Sequence, residues 1–466
     1  FYIFIMVLLV PIILGSDKDG ELGKKIKERL SFFGVNSLIR VCSAHKSCLN
    51  LLKIIKEYEN NDNVKTYITI AGKSNALSAL VDGNSVKPII SCPPLNDVTM
   101  HDLYSSVSMP SGVSPLTVLG YENAAISASK ICALFDKDVE KNIIDYKENM
   151  SLKLRINDVK FKYDFDYFDN DCLHRCVSDT TNVFQSNISL IKTGKVRDVY
   201  SKNENYYLVA SDRISAFDRN LTTIPYKGIV LNKVSRWWFN KTKHLVPNHV
   251  INDTDERSME VKKCYVFPIE FVMRSYLTGS TDTSIWKNYE KGVRDYCGHQ
   301  LPDNMIKNQK LHQTLLTPTT KDEHDELISE QEIIEKKIMT STQWDTCKRY
   351  AYELFEFGQK EAAKNGLILV DTKYEFGIDD SGKIILIDEL HTPDSSRFWI
   401  KHSYKERMMK NQEPESIDKE VIRKWIKETY KDPYNLDIEL NIPDNLRLEL
   451  SLKYLQLHEL ITGESI

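Results

Sequence analysis

The chain has 466 residues, of which 41% are hydrophobic and 27% charged, and its formal net charge is −4. This length exceeds one ordinary hydrophobic core and favours two or three domains. Charges of both signs are interspersed, without the basic stripe that nucleic-acid-binding proteins carry. Nine cysteines without a Cys-x-x-Cys pair are typical of a reducing compartment, so we expect a cytoplasmic protein.

The apolar run at the start of the chain, residues 1–14, is a candidate targeting segment. It is shorter than the ~20 residues needed to span a bilayer and lacks the basic region of a signal peptide. We therefore expect no membrane association and interpret residues 10–16 as a buried first strand that ends in a glycine turn. The first residue is Phe1, and we expect the natural start to be Met6.

From residue 10 to about 148, short apolar runs alternate with helical periodicity. We predict strands at 38–41, 66–71 and 87–92, and helices at 49–59, 97–106 and 123–135. Such alternation indicates a parallel sheet with helices on both faces, whose ligands collect at the carboxyl ends of the strands. Polar clusters follow three of these strand ends, at 15–19, 43–46 and 71–75.

The pattern changes after residue 148, and no period holds for long. We predict a carboxylase-like first domain at 6–148, a linker at 149–186 and a second domain at 187–466. In the second domain we predict strands at 206–210 and 264–273, and helices at 331–337, 341–365 and 418–461. The last helix places an apolar stripe in the core, formed by Leu446, Leu450, Tyr454 and Leu457.

Two apolar runs, 369–377 and 384–390, flank a turn sequence and predict a β-hairpin. A two-residue turn at Ser381-Gly382 sets Glu375 directly opposite Asp388, with Asp371 and Lys373 on the same face. Opposed carboxylates repel, a cost that a bound cation removes. Oxygen ligands in an otherwise open coordination sphere favour Mg²⁺ shared with nucleotide phosphates. The alternative is a solvated hairpin face.

Several short loops of the second region combine Arg, Ser or Asp with Gly or Pro. Lys195 and Arg197 are two residues apart on a predicted strand, where they share one face and can bind phosphates. Similar loops lie at 211–218, 225–228, 274–280 and 392–399. Together with the acidic hairpin, they predict a site for ATP, Mg²⁺ and a polyanionic substrate.

The motifs of the first region, Gly15-Ser-Asp17, Ser43-Ala-His-Lys46, Ala71-Gly-Lys-Ser-Asn75 and Ile90-Ser-Cys-Pro-Pro94, resemble the phosphoribosylaminoimidazole carboxylase family. The resemblance covers residues 10 to about 148 and favours the class that uses CO₂ directly, without a cofactor. It implies a three-layer α/β/α domain and a homo-oligomer, in this family an octamer. It also implies a set of site residues. Those near substrate are Ser16, Asp17, Asp19, Ser43 and Gly72, and the catalytic residues are His45, Lys46 and Ser74.

The chain departs from this family at three positions. Lys18 stands where Ser or Thr is usual, Lys73 where Arg is usual, and Ala76 where Gly is usual. Lysine cannot reproduce the bidentate geometry of arginine, so the departure at Lys73 bears on affinity rather than on reaction type.

Residues 188–462 resemble the phosphoribosylaminoimidazole-succinocarboxamide synthase (SAICAR synthetase) family, which implies an α+β ATP-binding domain. By this resemblance, Lys195 and Arg197 contact ATP and Glu375 and Asp388 hold Mg²⁺. The resemblance also implies that Asp371 and Lys373 lie beside the reacting carboxylate. The residues implied to bind the nucleotide substrate are Arg274, Ser280 and Arg397. The loop 212–218, with Asp212, Arg213 and Ser215, is implied to lie near substrate or aspartate. His391 stands where the family has an apolar residue, and we expect no new role for it.

Together the two resemblances imply consecutive steps of purine biosynthesis. The first is carboxylation of aminoimidazole ribonucleotide. The second is ATP- and Mg²⁺-dependent condensation of the product with L-aspartate. One alternative keeps the first domain for assembly alone. Another is an ATP-dependent ligase or kinase that acts on a different small acid.

Overall fold

The structure is a computed structural model that describes residues 8–94, 100–169, 171–183, 188–217, 219–321, 326–417, 419–435 and 437–466. The chain divides into two compact units, Phe1–Ser151 and Leu152–Ile466. No helix in the described residues is long and apolar enough to cross a membrane.

The first unit is a parallel sheet of five strands in the order β2-β1-β3-β4-β5, with helices between successive strands. Its elements are β1 (Leu9–Leu14), α1 (Gly20–Phe32), β2 (Asn36–Val41), α2 (Cys48–Glu59), β3 (Tyr67–Ile70), α3 (Ala76–Asp82), β4 (Ile89–Ser91), α4 (Met100–Val107), β5 (Leu116–Thr117) and α5 (Tyr121–Ala133).

Apolar residues cover both faces of this sheet. Val10 and Ile12 of β1 pack in one core with Ala128 of α5, whereas Ile13 packs in a second core with Leu51 of α2. The predicted α/β/α architecture is therefore confirmed. The strand order reverses direction between β1 and β3, which is the point where open α/β sheets bind ligands.

A long helix, α6 (Lys137–Lys162), runs across the boundary between the units. Ile156 and Val159 of this helix are fully or almost fully buried in the main core of the second unit. The prediction of an aperiodic segment from residue 149 is therefore wrong as far as Lys162.

The second unit is built on two antiparallel sheets. The first has the order β11-β12-β8-β7-β6, formed by β6 (Ser189–Thr193), β7 (Arg197–Lys202), β8 (Asn205–Ala210), β11 (Val250–Asp253) and β12 (Ser258–Lys262). The second has the order β16-β13-β18-β19, with β17 paired to β13 and β20 to β18. Its strands are β13 (Tyr265–Tyr276), β16 (Lys310–Leu316), β17 (Thr319–Thr320), β18 (Leu367–Ile378), β19 (Ile384–Ile387) and β20 (Ser396–Ile400).

Two hairpins and seven further helices complete the elements described in the second unit. They are β9 (Arg213–Ala216), β10 (Arg219–Thr223), β14 (Asp295–Tyr296), β15 (His299–Gln300), α7 (Lys227–Thr242), α8 (Ile285–Glu290), α9 (Glu330–Glu335), α10 (Ser341–Lys364), α11 (Lys401–Met409), α12 (Glu420–Thr429) and α13 (Asp444–Thr462). A capping box between Thr340 and Gln343 fixes the start of α10, which packs on β18.

The C-terminal region contains two helices where the sequence predicts one. Pro433 and Pro443 lie between α12 and α13, where proline prevents a continuous helix. The predicted apolar stripe of α13 is confirmed, because Leu446, Leu450, Tyr454 and Leu457 all belong to the main core.

Candidate functional site

The β18–β19 hairpin exists as predicted, but its register differs by one residue. Glu375 pairs with Ile387, and Asp388 lies beyond the end of β19 with a φ of +62°. The turn is a three-residue loop, because Asp379 pairs with Lys383 and Gly382 takes a left-handed φ of +81°. The predicted direct opposition of Glu375 and Asp388 is therefore wrong.

A different carboxylate faces Glu375 across a strand pair. In the β13–β18 ladder, Glu270 lies opposite Glu375 and Arg274 opposite Asp371. Directly paired residues of an antiparallel sheet point to the same face. This face of the sheet therefore carries charged side chains from two neighbouring strands.

Glu375 is 7% exposed and forms an ion pair with Lys321. Burial is the main reason that its pKa is raised to about 7, and the nearby charge of Asp388 raises it further. Lys321 and Lys373 oppose this shift. The two predicted metal-binding carboxylates thus interact electrostatically although they are not opposed in the ladder.

Arg197 forms ion pairs with the loop that carries Asp388. Its guanidinium is 2.6 Å from Glu389 Oε2 and 3.5 Å from Asp388 Oδ1. Arg197 thereby joins β7 of one sheet to the loop that follows β19 in the other. Its side chain is 9% exposed, and its Nε has no hydrogen-bond partner among the described residues.

A cavity of about 590 Å³ opens beside these residues. The described residues that line it carry charges of both signs: Lys195, Glu270, Arg274, Asp282, Asp371, Lys373, Asp394, Arg397, Lys419, Glu420 and Arg423. Ser215 also lies on its wall. Six of the residues predicted from the sequence, Lys195, Ser215, Arg274, Asp371, Lys373 and Arg397, thus come together around one space.

Ion pairs connect most of these charged groups. Lys373 Nζ is 2.6 Å from Glu270 Oε1, and Arg397 forms an ion pair with Asp371 and lies 3.5 Å from Glu420. Burial by itself lowers the pKa of Lys373, but the charges of Glu270 and Glu375 outweigh burial and raise that pKa. The basic groups are therefore held charged and oriented.

A second buried cluster contributes Asp394 to the wall of the cavity. Asp394 accepts a hydrogen bond from Lys227 Nζ at 2.7 Å and another from Tyr454 Oη at 2.6 Å. Burial raises the pKa of Asp394, but the charges of Lys227 and Lys419 outweigh it and the pKa lies well below its usual range. Lys227 is fully buried, so this carboxylate is its charge partner.

The side-chain ammonium of Lys419, which lines the cavity, has no hydrogen bond or ion pair with another residue in the described part of the chain. Burial is the main reason that its pKa is lowered to about 8; the charge of Asp394 opposes the shift, and the like charges of Arg423, Lys227 and Lys373 add to it. A partly buried ammonium without a direct charge partner is costly unless an anion binds beside it.

The remaining predicted residues of the second unit lie outside the cavity lining. Asp212 is buried and accepts hydrogen bonds from the backbone N–H groups of Val177 and Gly228. Arg213 binds Asp198 at 2.5 Å and the carbonyl oxygen of Gly194 at 3.0 Å. Both residues therefore hold loops together. Ser280 lies next to Glu420, and Asp218 is outside the described residues.

In the first unit, the predicted residues gather at the carboxyl ends of β1, β2 and β3. Ser16 caps a short turn at 17–19, and Gly15 N–H donates to the carbonyl oxygen of Ile70 at 2.8 Å, which brings the ends of β1 and β3 together. Asp17, His45, Lys46 and Ser74 are exposed, whereas Ser16, Asp19, Ser43 and Gly72 are half-buried. Burial raises the pKa of Asp19.

The side chain of Asn75 anchors the loop that follows β3. This side chain is buried and donates to Ser91 Oγ at 2.8 Å and to Ser106 Oγ at 2.9 Å. Ser105 of α4 binds the carbonyl oxygen of Lys73, whose φ is +53°. The network fixes the backbone at Gly72 and Ser74 while their outer surfaces stay accessible.

Sequence reasoning did not single out seven charged residues of the second-unit site: Lys227, Glu270, Asp282, Asp394, Lys419, Glu420 and Arg423. The predicted loops 225–228 and 392–399 include two of them, Lys227 and Asp394. Their partners are far apart along the chain, for example Lys227 and Asp394. Glu270 sits in an apolar strand pattern, which is a usable signal because an isolated carboxylate in a buried strand requires a partner. No such signal marks Lys419, which lies just before a helix in a charged segment.

Comparison with known proteins adds an independent observation. Residues 190–437, more than half of the chain, match the family model described as SAICAR synthetase. The chain belongs to the SAICAR synthetase family. Residues 9–153 match the model described as AIR carboxylase. The chain thus combines both domains as a bifunctional enzyme of purine biosynthesis, with a ligase and a carboxylase (lyase) part.

Relatives named as the synthase match about three fifths of the chain. The chloroplastic phosphoribosylaminoimidazole-succinocarboxamide synthase of Arabidopsis thaliana is 51% identical over 300 residues, which are 64% of this chain and 72% of that protein. The synthase of Legionella pneumophila (strain Paris) is 49% identical over 291 residues, covering 62% and 92%. The solved SAICAR synthase of Saccharomyces cerevisiae, complexed with SAICAR, is 30% identical with a TM-score of 0.53, covering 62% of this chain and 99% of that one.

Proposed function

We propose that this enzyme catalyses two consecutive reactions. The first unit adds free CO₂ to the ring carbon of aminoimidazole ribonucleotide. The second unit then uses ATP and Mg²⁺ to join the new carboxylate to the amine of L-aspartate, with release of ADP and phosphate. The observation that carries the second assignment is the cavity in which Asp371, Lys373 and Arg397 converge from two paired strands.

In the second unit, the basic groups of the cavity suit a reaction among polyanions. Lys195 lines the cavity and is suited to bind ATP phosphates, and Arg274 and Arg397 are suited to bind the nucleotide substrate. Ser280, which lies next to Glu420 of the lining, would contact the same substrate. Lys373, held charged by Glu270, is suited to stabilise the carboxylate as its oxygen attacks the γ-phosphorus. The resulting acyl phosphate reacts with the amine of aspartate, which forms the amide and releases phosphate.

Glu375 and Asp388 are the proposed metal ligands. Burial, together with the charge of Asp388, raises the pKa of Glu375 to about 7, and a bound cation would stabilise both carboxylates in their charged form. No cluster of three or more His, Cys, Asp or Glu residues that could hold a metal occurs in the described ranges, so phosphate oxygens and water would complete the coordination. When bound, Mg²⁺ supplies charge neutralisation and orients the phosphates. Arg197 already binds Asp388 and Glu389, so we propose that it holds the loop that carries Asp388. We also propose that Arg197 lies near the ATP phosphates.

Asp212, Arg213 and Ser215 divide into two roles in this proposal. Ser215 lines the cavity and is suited to contact substrate or aspartate. Asp212 and Arg213 hold the loop that carries Ser215, because each is occupied by partners within the protein.

In the first unit, we propose that His45 removes the proton from the ring carbon during carboxylation. Its imidazole is exposed at the end of β2, and imidazole suits proton transfer near neutral pH. Ser16, Asp17, Asp19 and Ser43 would bind the ribose phosphate, with Lys46 beside the phosphate or carboxylate. Ser74 and the backbone at Gly72 would offer hydrogen bonds to CO₂.

Substrate omission tests the synthase reaction on the full chain. With carboxylated nucleotide, ATP, Mg²⁺ and aspartate, we expect stoichiometric SAICAR and ADP; without aspartate or Mg²⁺, we expect none. Formation of SAICAR without ATP consumption would contradict the proposal.

The carbon source is tested separately. With aminoimidazole ribonucleotide and bicarbonate alone, added carbonic anhydrase should speed carboxylation, because it restores CO₂ as the enzyme consumes it. Rapid rearrangement of an N-carboxylated nucleotide, with no response to CO₂, would assign the domain to the other class of this family.

We further propose that the enzyme is cytoplasmic and assembles through its first unit, as an octamer. All nine cysteines are free thiols, which suits a reducing compartment. Large apolar side chains are exposed near the first-unit site, among them Leu49, Tyr104 and Val107. Light scattering coupled to gel filtration would measure the assembly, and a monomeric mass at micromolar concentration would contradict it.

A further inference from the structure

His391 is a fully buried histidine in the loop between β19 and β20. Its Nε2 is 2.6 Å from the hydroxyl of Tyr374, and its ring lies edge-on to Trp238, with the ring centroids 4.7 Å apart. Gly358 of α10 makes room for the imidazole, because a Cβ at position 358 would lie 2.3 Å from His391 Cε1. The surroundings of this histidine are thus built to accept it.

The loop that carries His391 has an unusual backbone. Asp388 has a φ of +62° and His391 a φ of +47°, in the left-handed region that is strained for residues other than glycine. Such conformations persist where the surrounding structure fixes them, and they are frequent at functional sites. Here the loop is fixed by Leu390 N–H, which donates to Ser235 Oγ at 3.1 Å, and by the Thr392 hydroxyl, which donates to Glu389 at 2.5 Å.

Tyr374 connects this loop to the strand that carries the other proposed metal ligand. It lies on β18 between Lys373 and Glu375 and is itself fully buried. The contact between Tyr374 and His391 therefore joins the backbone of Glu375 to the loop that begins at Asp388. Small movements of that loop would change the separation of the two carboxylates.

Burial of the His391 ring lowers folding stability in a way that burial of an apolar side chain would not. Its Nδ1 is buried and has no hydrogen-bond partner within the described ranges. Burial lowers the pKa of His391 to about 3, so the ring is neutral at working pH. One polar atom is therefore left unpaired in the core, a loss of stability that needs compensation elsewhere.

We propose that His391 is a positioning residue that, through Tyr374, holds Asp388 beside Glu375 so that the two carboxylates bind a divalent cation. This inference rests on the proposed assignment of Glu375 and Asp388 as metal ligands. It gives His391 and Tyr374 one shared function, and it explains why a polar ring stands among apolar side chains in the core.

The test is Mn²⁺ binding to the full, nucleotide-free chain, measured by electron paramagnetic resonance. Tyr374→Phe removes the hydroxyl alone, and His391→Asn keeps a residue that tolerates a left-handed backbone but cannot reach Tyr374. Each variant should weaken Mn²⁺ binding roughly three- to tenfold, the usual range for one hydrogen bond. The double variant should be no weaker than the weaker single variant. At saturating Mg²⁺, kcat should be unchanged while the KM for Mg²⁺ rises.

Tyr289→Phe is the matched control. Tyr289 is also a buried tyrosine of the second unit. Its hydroxyl donates a hydrogen bond to the carbonyl oxygen of Pro302 and accepts one from the backbone N–H of Met305. This variant should lose stability without losing Mn²⁺ affinity. If Tyr374→Phe and His391→Asn behave in the same way, His391 serves packing alone and the inference is overturned.

Glu375→Gln separates this inference from the function on which it rests. If Glu375→Gln binds Mn²⁺ normally, the metal assignment itself fails, and the inference fails with it. If Glu375→Gln abolishes Mn²⁺ binding while Tyr374→Phe retains full affinity, the metal assignment stands and the role of His391 is refuted.

Discussion

In the second unit, most charged groups of the cavity are already paired with one another, whereas in the first unit several predicted site residues lie exposed at strand ends. Lys373 with Glu270 and Arg397 with Asp371 are oriented before any substrate arrives. His45 and Lys46 in the first unit are exposed side chains. The difference follows the chemistry proposed for each unit. Phosphoryl transfer needs preorganised charge, while carboxylation by CO₂ needs an accessible proton acceptor.

The largest expected effect is at Glu375. Glu375→Ala should abolish ATP-dependent amide formation, because it removes one of two carboxylates proposed to hold Mg²⁺ and leaves Lys321 without its partner. Carboxylation by the first unit should be unchanged, as measured with aminoimidazole ribonucleotide and CO₂. Normal synthase turnover in this variant would remove the assignment, and loss of both activities would indicate misfolding.

The corresponding change in the first unit is His45→Ala. It should slow carboxylation roughly 10²–10⁴-fold, the usual contribution of a positioned acid–base group. Synthase activity on carboxylated nucleotide should be unaffected, which makes each variant the control for the other. If carboxylation survives, His45 has no role in proton transfer and the contrast between the two sites loses its basis.

A smaller effect is expected at Arg397, where preorganisation can be tested without removing charge. Arg397→Lys keeps the cation but cannot bind Asp371 while also reaching Glu420. We expect kcat/KM for the carboxylated nucleotide to fall roughly ten- to a hundredfold. Arg349→Lys, at an exposed ion pair on α10, is the control and should have little effect. Equal activities would mean that charge alone suffices in the cavity.

The smallest expected effect concerns stability. The folded-state pKa of Lys419 is about 8, below its ordinary value of 10.5. Between pH 8 and pH 10.5 the unfolded state binds more protons at Lys419 than the folded state does. The loss of folding stability caused by burying this ammonium is therefore full below pH 8 and declines as pH rises toward 10.5. Lys419→Met should therefore raise Tm by roughly a few degrees at pH 7, and by less at pH 10. Lys424→Met, on the exposed face of α12, should leave Tm nearly unchanged. A Lys419→Met protein with a lower Tm at pH 7 would contradict this account.

The sequence predicted what depends on local periodicity. The parallel sheet of the first unit, the β18–β19 hairpin and the apolar stripe from Leu446 to Leu457 follow from apolar spacing, and the structure has all three. The hairpin register was wrong because Asp379–Lys383 is compatible with both a two-residue and a three-residue turn. A shift of one residue is enough to move Asp388 out of the ladder.

The candidate site was predicted in part for a related reason. Lys373 and Asp371 stand out because they alternate in an apolar strand. Lys227, Asp394 and Lys419 acquire their significance from contacts between distant segments, which no local pattern encodes. The helical start of the segment after residue 148 was missed because its apolar side chains are sparse, although Ile156 and Val159 are buried by the second unit.

The most direct test of the central claim is a labelling experiment on the full chain. The enzyme is supplied with aminoimidazole ribonucleotide, ¹³C-bicarbonate, ATP, Mg²⁺ and L-aspartate, and the product is analysed by mass spectrometry and ¹³C NMR. Two consecutive reactions predict SAICAR with a single ¹³C atom in its amide carbonyl and one ADP for each product. With His45→Ala, product should form roughly 10²–10⁴-fold more slowly unless carboxylated nucleotide is added. Unlabelled SAICAR, or none at all while carboxylated nucleotide supports full synthase activity in the same preparation, would contradict a carboxylating first unit.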